Sequence, residues 1–307
     1  MSKFLPPDPY EDDAPSPVPS DRMSWGWRLA ILLLVASVLG GGYVWWSQKR
    51  SAWLVRRAAI DKLEAAGAVF WPPRDSAQWA DILFGEVVNV DFTRPLAEGL
   101  APPSIDDETL GPISVLTTLQ NVNLEGAPIT QASLESLAPL VNLRMLNLSG
   151  TGLGDEGLEN LLGMTQLKRL LLDRTKVGDA SLASIGKLSE LEKLSLRDTW
   201  ITDAGLESLK PLVKLRELDL TGTRIGNKGL VPLGELTALE SLMLSGTRIT
   251  DAGISSLDPL DFLVELWLVD TKISVDRVEI LRRARPNLKI VRHEPPAARV
   301  DLLDSNR

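Results

Sequence analysis

A leucine recurs at positions 119, 143, 167, 191, 215, 239 and 263, one every 24 residues with no slippage. The same word surrounds each of the seven. One copy reads Leu191, Leu194, Leu196, Thr199, Ile201, Asp203, Gly205, Leu206, Leu209 and Leu212. The copy before it reads Leu167, Leu170, Leu172, Thr175, Val177, Asp179, Leu182, Ile185 and Leu188. Leu194-Ser195-Leu196 alternates apolar and polar side chains, the period of a short strand with one buried face. Leu206 and Leu209 are three apart and share one side of a short helix or helical turn. Neither element can bury its apolar side alone, so the copies must stack into one continuous core. The expected fold is an α/β solenoid, a horseshoe of about eight coils over residues 79–292.

Composition narrows the chemistry. Cysteine is absent and the single histidine, His293, lies beyond the last full copy. Both counts argue against the commonest catalytic and metal-binding sets, and no catalytic, cofactor or metal residue is assigned. The formal net charge of −8 disfavours nonspecific nucleic-acid binding.

Before the repeats, residues 1–24 are rich in proline and acid and are expected to be disordered. From Leu29 to Trp46 no residue is charged, and Trp25, Trp27, Tyr43, Trp45 and Trp46 stand at the two ends. That length and those interfacial rings predict an uncleaved, single-pass transmembrane helix over 25–48, with the lipid bilayer as its partner. Lys49, Arg50, Arg56, Arg57 and Lys62 follow it, against Lys3, Arg22 and Arg28 before it, so the repeats are expected on the cytoplasmic side. Residues 49–78 should form a juxtamembrane helix and amino-terminal cap. The helix spans Ala52 to Ala66, is stopped by Gly67, and is followed by a short strand at 68–71. Val88 to Phe92 reads as a first strand, 93–104 as an inserted loop, 106–116 as its helical side, and Leu288 to Val291 as a last strand. The tail, 293–307, is expected to be disordered.

Two polar columns belong to the repeat. The hydroxyls of Thr151, Thr175, Thr199, Thr223, Thr247 and Thr271 are expected to bond backbone groups of the turn and so to fasten neighbouring coils. Asp155, Asp179, Asp203, Asn227 and Asp251 are expected to cap the helical side of their own coil. Gly152 to Gly157 spells G-x-G-x-x-G, but Gly157 belongs to the repeat's glycine column and the coil is too short for a dinucleotide-binding unit. Asn147-Leu148-Ser149 spells a glycosylation acceptor inside a strand.

Positions that the repeat leaves free carry the functional information. Alternation sends Asn123, Asn147, Leu171, Ser195, Asp219, Met243 and Trp267 outward in one strand-face column, flanked by two others. A solenoid binds partners on this concave face. The candidate contacts are Arg169, Leu171, Asp173, Lys193, Arg197, Glu217, Asp219, Met243 and Trp267, the last of a type that anchors interfaces. Trp200 departs from its own column, which is otherwise small or basic.

The spacing L-x-x-L-x-L and the words I-T-D-A-G-L (Ile201–Leu206) and I-T-D-A-G-I (Ile249–Ile254) resemble the leucine-rich repeat family. More narrowly, they resemble the cysteine-containing subtype found in ubiquitin-ligase adaptors. Here threonine replaces the cysteine, the period is shorter and no F-box precedes the repeats. The layout over residues 52–292 is more similar to bacterial membrane-anchored leucine-rich repeat proteins. The resemblance implies a horseshoe and a binding role, with no particular ligand. The expected function is a membrane-anchored, non-enzymatic scaffold for an unidentified protein partner. The alternatives are an envelope receptor for a glycan or other extracytoplasmic ligand, and a substrate adaptor in protein turnover.

Overall fold

The structure, a computed structural model, describes residues 25–71, 89–93 and 105–292. The expected tails, the Pro72-Pro73 segment and most of the inserted loop lie outside the described residues. The chain divides into two units, Met1–Ala52 and Trp53–Arg307. Helix α1, Trp25–Ala65, begins in the first and ends in the second. Two helices were expected over this stretch and one runs through. Neither proline nor glycine falls between Tyr43 and Ala66, so nothing breaks it. Among the described residues, no helix is long and apolar enough to cross a membrane. Most of the expected span, 25–48, falls on residues whose side chains lie outside that description.

Gly67 ends α1. Its φ of +97° is the left-handed conformation that glycine adopts without a Cβ penalty. Gly67 donates to the Glu64 carbonyl at 2.9 Å and Ala68 to that of Leu63 at 2.8 Å, the paired bonds of a Schellman cap. Ala59, Ile60 and Leu63, on the inner side of the last turns, are buried with Phe70, Val90 and Phe92 in the core of the repeat unit.

That unit is built on one ten-stranded sheet in chain order. Its strands are β1 (Val69–Trp71), β2 (Asn89–Asp91), β3 (Asn121–Asn123), β4 (Met145–Asn147) and β5 (Arg169–Leu171). They continue as β6 (Lys193–Ser195), β7 (Glu217–Asp219), β8 (Ser241–Met243), β9 (Glu265–Trp267) and β10 (Lys289–Val291). β1 pairs antiparallel with β2, and every later pair is parallel. From β3 on, the partner of any residue is its counterpart one period along: Asn121 with Met145, Lys193 with Glu217, Glu265 with Lys289. The strand leucines Leu146, Leu170, Leu194, Leu218 and Leu242 are fully buried, together with the leucines of the return side. The return sides are α-helical at Ala132–Leu137 and Asp179–Ile185, and 3-10 at Leu158–Gly163, Gly205–Leu209 and Ile254–Leu257.

The threonines bond the backbone of the turn as expected but do not join coils, and the aspartates join coils instead of capping their own. Each threonine hydroxyl donates within its own coil, to the carbonyl three residues back: Thr151 to Leu148 and Thr175 to Leu172, both at 2.6 Å. The column thus closes the turn after each strand instead of joining coils. The aspartates do the joining. Asp155 accepts from the Gly178 N–H, Asp179 from Thr202, Asp203 from Gly226, Asn227 from Thr250 and Asp251 from Ser274, at 2.6–2.8 Å. Each bond reaches 23 residues ahead, into the next coil.

The carboxylate also limits side-chain size in the next coil. A Cβ on Gly205, Gly229 or Gly253 would lie 2.5–2.6 Å from the Asp179, Asp203 or Asn227 side-chain oxygen. Where this column holds serine instead, the hydroxyl bonds that oxygen: Ser133 to Asp107, and Ser181 to Asp155. Both serine coils have α-helical return sides, as does the glycine coil of Gly229, at Leu230–Leu233.

Candidate functional site

The nine candidate residues come together on one face. The register sets Arg169, Lys193 and Glu217 side by side on β5–β7. In the neighbouring column it sets Leu171, Ser195, Asp219, Met243 and Trp267 across β5–β9. Asp173 and Arg197 lie just past the ends of their strands.

Much of the polar part is already engaged. Lys193 and Glu217 form an ion pair at 2.5 Å. Asp173 accepts from the Ser195 hydroxyl and, at 3.1 Å, from the Arg197 N–H, stapling two coils. Arg197 Nε lies 3.5 Å from Asp198. Leu171 is 7% exposed, so it is covered on the strand face and drops out as a direct contact. Asn147 is buried, accepts from the Ser149 N–H and donates to Glu125, which closes the glycosylation word to any transferase in the folded state.

Asp219 stands apart. Burial raises its carboxyl above the ordinary aspartate range, against the lowering effect of bonds from Thr221. Its Oδ1 accepts from the Thr221 N–H at 2.8 Å. The next two residues across the sheet are Met243 and Trp267, both partly exposed. The Trp267 indole N–H and the Ser241 hydroxyl are buried and have no hydrogen-bond partner among the described residues. Ser241 sits between Glu217 and Glu265, each occupied by a lysine, Lys193 and Lys289. The column of Ser195 and Asp219 therefore changes character at β8, from polar to the apolar Met243 and Trp267, with unfilled donors at Ser241 and Trp267. Among the described residues, no three acids or histidines could hold a metal ion together.

A family model described as "Leucine Rich repeat" matches residues 141–162, 188–210, 213–234 and 236–257. These coils are leucine-rich repeats. No curated protein sequence matches the chain. Among solved structures, an internalin (inlF) from Listeria monocytogenes is similar with a TM-score of 0.51 at 23% identity, over 61% of this chain and 51% of that one. This chain thus spans about half the length of that internalin, and the likeness is one of fold. Internalin C2 (inlC2) from the same organism gives a TM-score of 0.51 at 27% identity, over 67% of this chain and 80% of that one.

The leucine-rich repeat strand face holds two features that sequence reading passed over. Glu125 bridges Asn147 at 3.3 Å and Arg174 at 3.0 Å, tying three coils at the rim. Arg174 stands 49 residues from Glu125, and only the two-coil offset of the register could have paired them. The unfilled Ser241 hydroxyl gave no signal, because serine in a strand column reads as filler.

Proposed function

We propose that this chain is a membrane-anchored, non-enzymatic scaffold that holds a protein partner on the strand face of its leucine-rich repeats. One observation carries the reading. The strand face is contiguous across β5–β9, and at β8–β9 it offers Met243 and Trp267 beside the half-buried carboxyl of Asp219, residues that the repeat does not dictate. A flexible thioether, an indole and a half-buried acid towards the carboxy-terminal end of the face make an anchor for an apolar residue flanked by a cation. The uncharged stretch from Leu29 to Trp46 supports the anchor. The positive excess after it supports a cytoplasmic repeat domain.

Two experiments test this. A photo-crosslinking residue at Met243 should trap a discrete partner in cells, and one at Lys228, an exposed position in the 3-10 turn Asn227–Gly229, should not. Equal adducts from both sites, or adducts from Lys228 alone, would move binding off the strand face. Because the chain lacks cysteine, Ser305→Cys gives a single thiol. With the outer envelope opened, labelling by a membrane-impermeant maleimide only after lysis places the repeats in the cytoplasm. Labelling before lysis reverses the orientation and favours an extracytoplasmic ligand.

A further inference from the structure

A second surface of the repeat unit carries an unbalanced charge. One residue after the buried threonine of each coil stands an exposed column: Lys176, Trp200, Arg224, Arg248 and Lys272. The backbone N–H groups of these residues donate to Leu153, Val177, Ile201, Ile225 and Ile249 of the coil before, at 2.8–3.1 Å. That ladder holds neighbouring members one coil apart, about 4.8 Å, so the row is straight and about 20 Å long. Two residues further along each coil the column is small, with Gly178, Thr202, Gly226, Thr250 and Ser274, and the long side chains stand clear of it.

Elsewhere several cations are neutralised within columns. Lys168 pairs with Glu192 at 2.7 Å, Lys214 with Glu190 at 2.7 Å, and Arg216 with Glu240 at 3.1 Å, each one coil away. In this row signs do not alternate. None of its four cations forms an ion pair among the described residues. Arg224 instead places its guanidinium 5.9 Å from the centroid of the Trp200 ring, which remains 55% exposed. Like charges stacked across a parallel ladder repel. A protein with a net charge of −8 gains nothing in solubility from a row of stacked cations.

We propose that this row is a docking ridge for a short, extended, acidic segment of another polypeptide. That segment would carry one apolar or aromatic residue to cover Trp200. Carboxylates on alternate residues of an extended chain lie about 6.8 Å apart on one side. The flexible stems of lysine and arginine absorb the difference from the coil spacing. A uniform polyanion fits less well, because Trp200 breaks the row and sets an exposed ring where a further charge would need a cation. A mixed acidic and apolar segment of about six residues fills the ridge and ends there. This surface is distinct from the strand face and does not depend on it.

The test titrates a fluorescein-labelled peptide of alternating glutamate and valine with one central tyrosine into the full chain in detergent, followed by anisotropy. The wild type should bind, with affinity falling steeply as salt rises. Arg224→Glu with Arg248→Glu should weaken binding at least about tenfold, and Trp200→Ala should weaken it without changing the salt dependence. Trp267→Ala and Lys228→Glu should leave it unchanged. Arg248→Gln serves if the double reversal disturbs folding, and should weaken binding by a smaller factor. The proposal falls if the peptide does not bind, if the ridge variants bind like wild type, or if Trp267→Ala abolishes binding. It also falls if labelled oligothymidylate or phosphatidylserine vesicles bind the ridge more tightly than the peptide.

Discussion

Replacing Gly229 by alanine should destabilise the repeats through a single oxygen atom. Gly229 has φ −66° and ψ −21°, an ordinary right-handed conformation, so the backbone tolerates a side chain. In open space the change would stabilise by about 0.4–1 kcal/mol, because the unfolded chain loses freedom. Here the new Cβ would stand 2.6 Å from Asp203 Oδ1 and 2.9 Å from Leu206 Cδ1. Crowding of that kind costs about 1–3 kcal/mol. If the carboxylate retreats, its bond from the Gly226 N–H at 2.6 Å is lost as well, at about 1.5–3 kcal/mol for a charged acceptor. The net expectation is a loss of about 1–4 kcal/mol. Asp203→Ala alone should cost about 1.5–3 kcal/mol. In the double variant the clash with the carboxylate has gone, so alanine at 229 should cost far less in that background. Urea unfolding of the four proteins gives the cycle, with a coupling of about 1–3 kcal/mol. Additive costs would refute the explanation and leave Leu206 as the obstacle. Gly229→Ser should be milder than alanine, since Ser181 already bonds the equivalent carboxylate.

Asp219→Asn should stabilise the protein at neutral pH, because Asn keeps the acceptor for the Thr221 N–H while removing a buried charge. A carboxyl whose folded value is raised is at its most favourable below the unfolded value and loses that advantage as pH rises through the folded one. The gain in urea midpoint should therefore be present at neutral pH and vanish in acid. Asp251 behaves oppositely: bonds from Ser274 lower its carboxyl, so its contribution is present at neutral pH and lost as pH falls through the folded value. Leu218→Ala, a fully buried truncation, should cost about 2–5 kcal/mol in the same assay. Thr223→Val removes a buried 2.6 Å bond to the Leu220 carbonyl and should cost about 0.5–1.5 kcal/mol. Lys193→Met breaks only a part-exposed pair and should shift stability by less than about 1 kcal/mol.

The leucine spacing made the core and the parallel register legible, because identical words at a fixed interval can stack in only one alignment. Asn121 opposite Met145 follows directly. The aspartate column was illegible for a physical reason. Sequence proximity suggests partners on the same coil, whereas Asp179 finds its N–H on Thr202, adjacent only after stacking. The antiparallel β1 was visible as a strand, but its direction depended on the chain between Trp71 and Asn89. On the strand face, position was readable and freedom was not. Lys193 and Asp173 read as available and are bound to neighbours, while Leu171 reads as outward and is covered.

The forward-reaching bond also bears on heredity. From Asp155 to Asp251 each coil offers an acceptor to the coil that comes next, and up to Gly253 it asks only for an N–H and a small residue in the right places. Excising residues 191–214 would leave Asp179 facing Gly226 and Gly229, the same types it would meet anywhere in the row. A misaligned recombination that drops or repeats one word therefore yields a chain whose joints still close. The gene can lengthen or shorten the face in steps of one strand, and selection can then act on its few free letters.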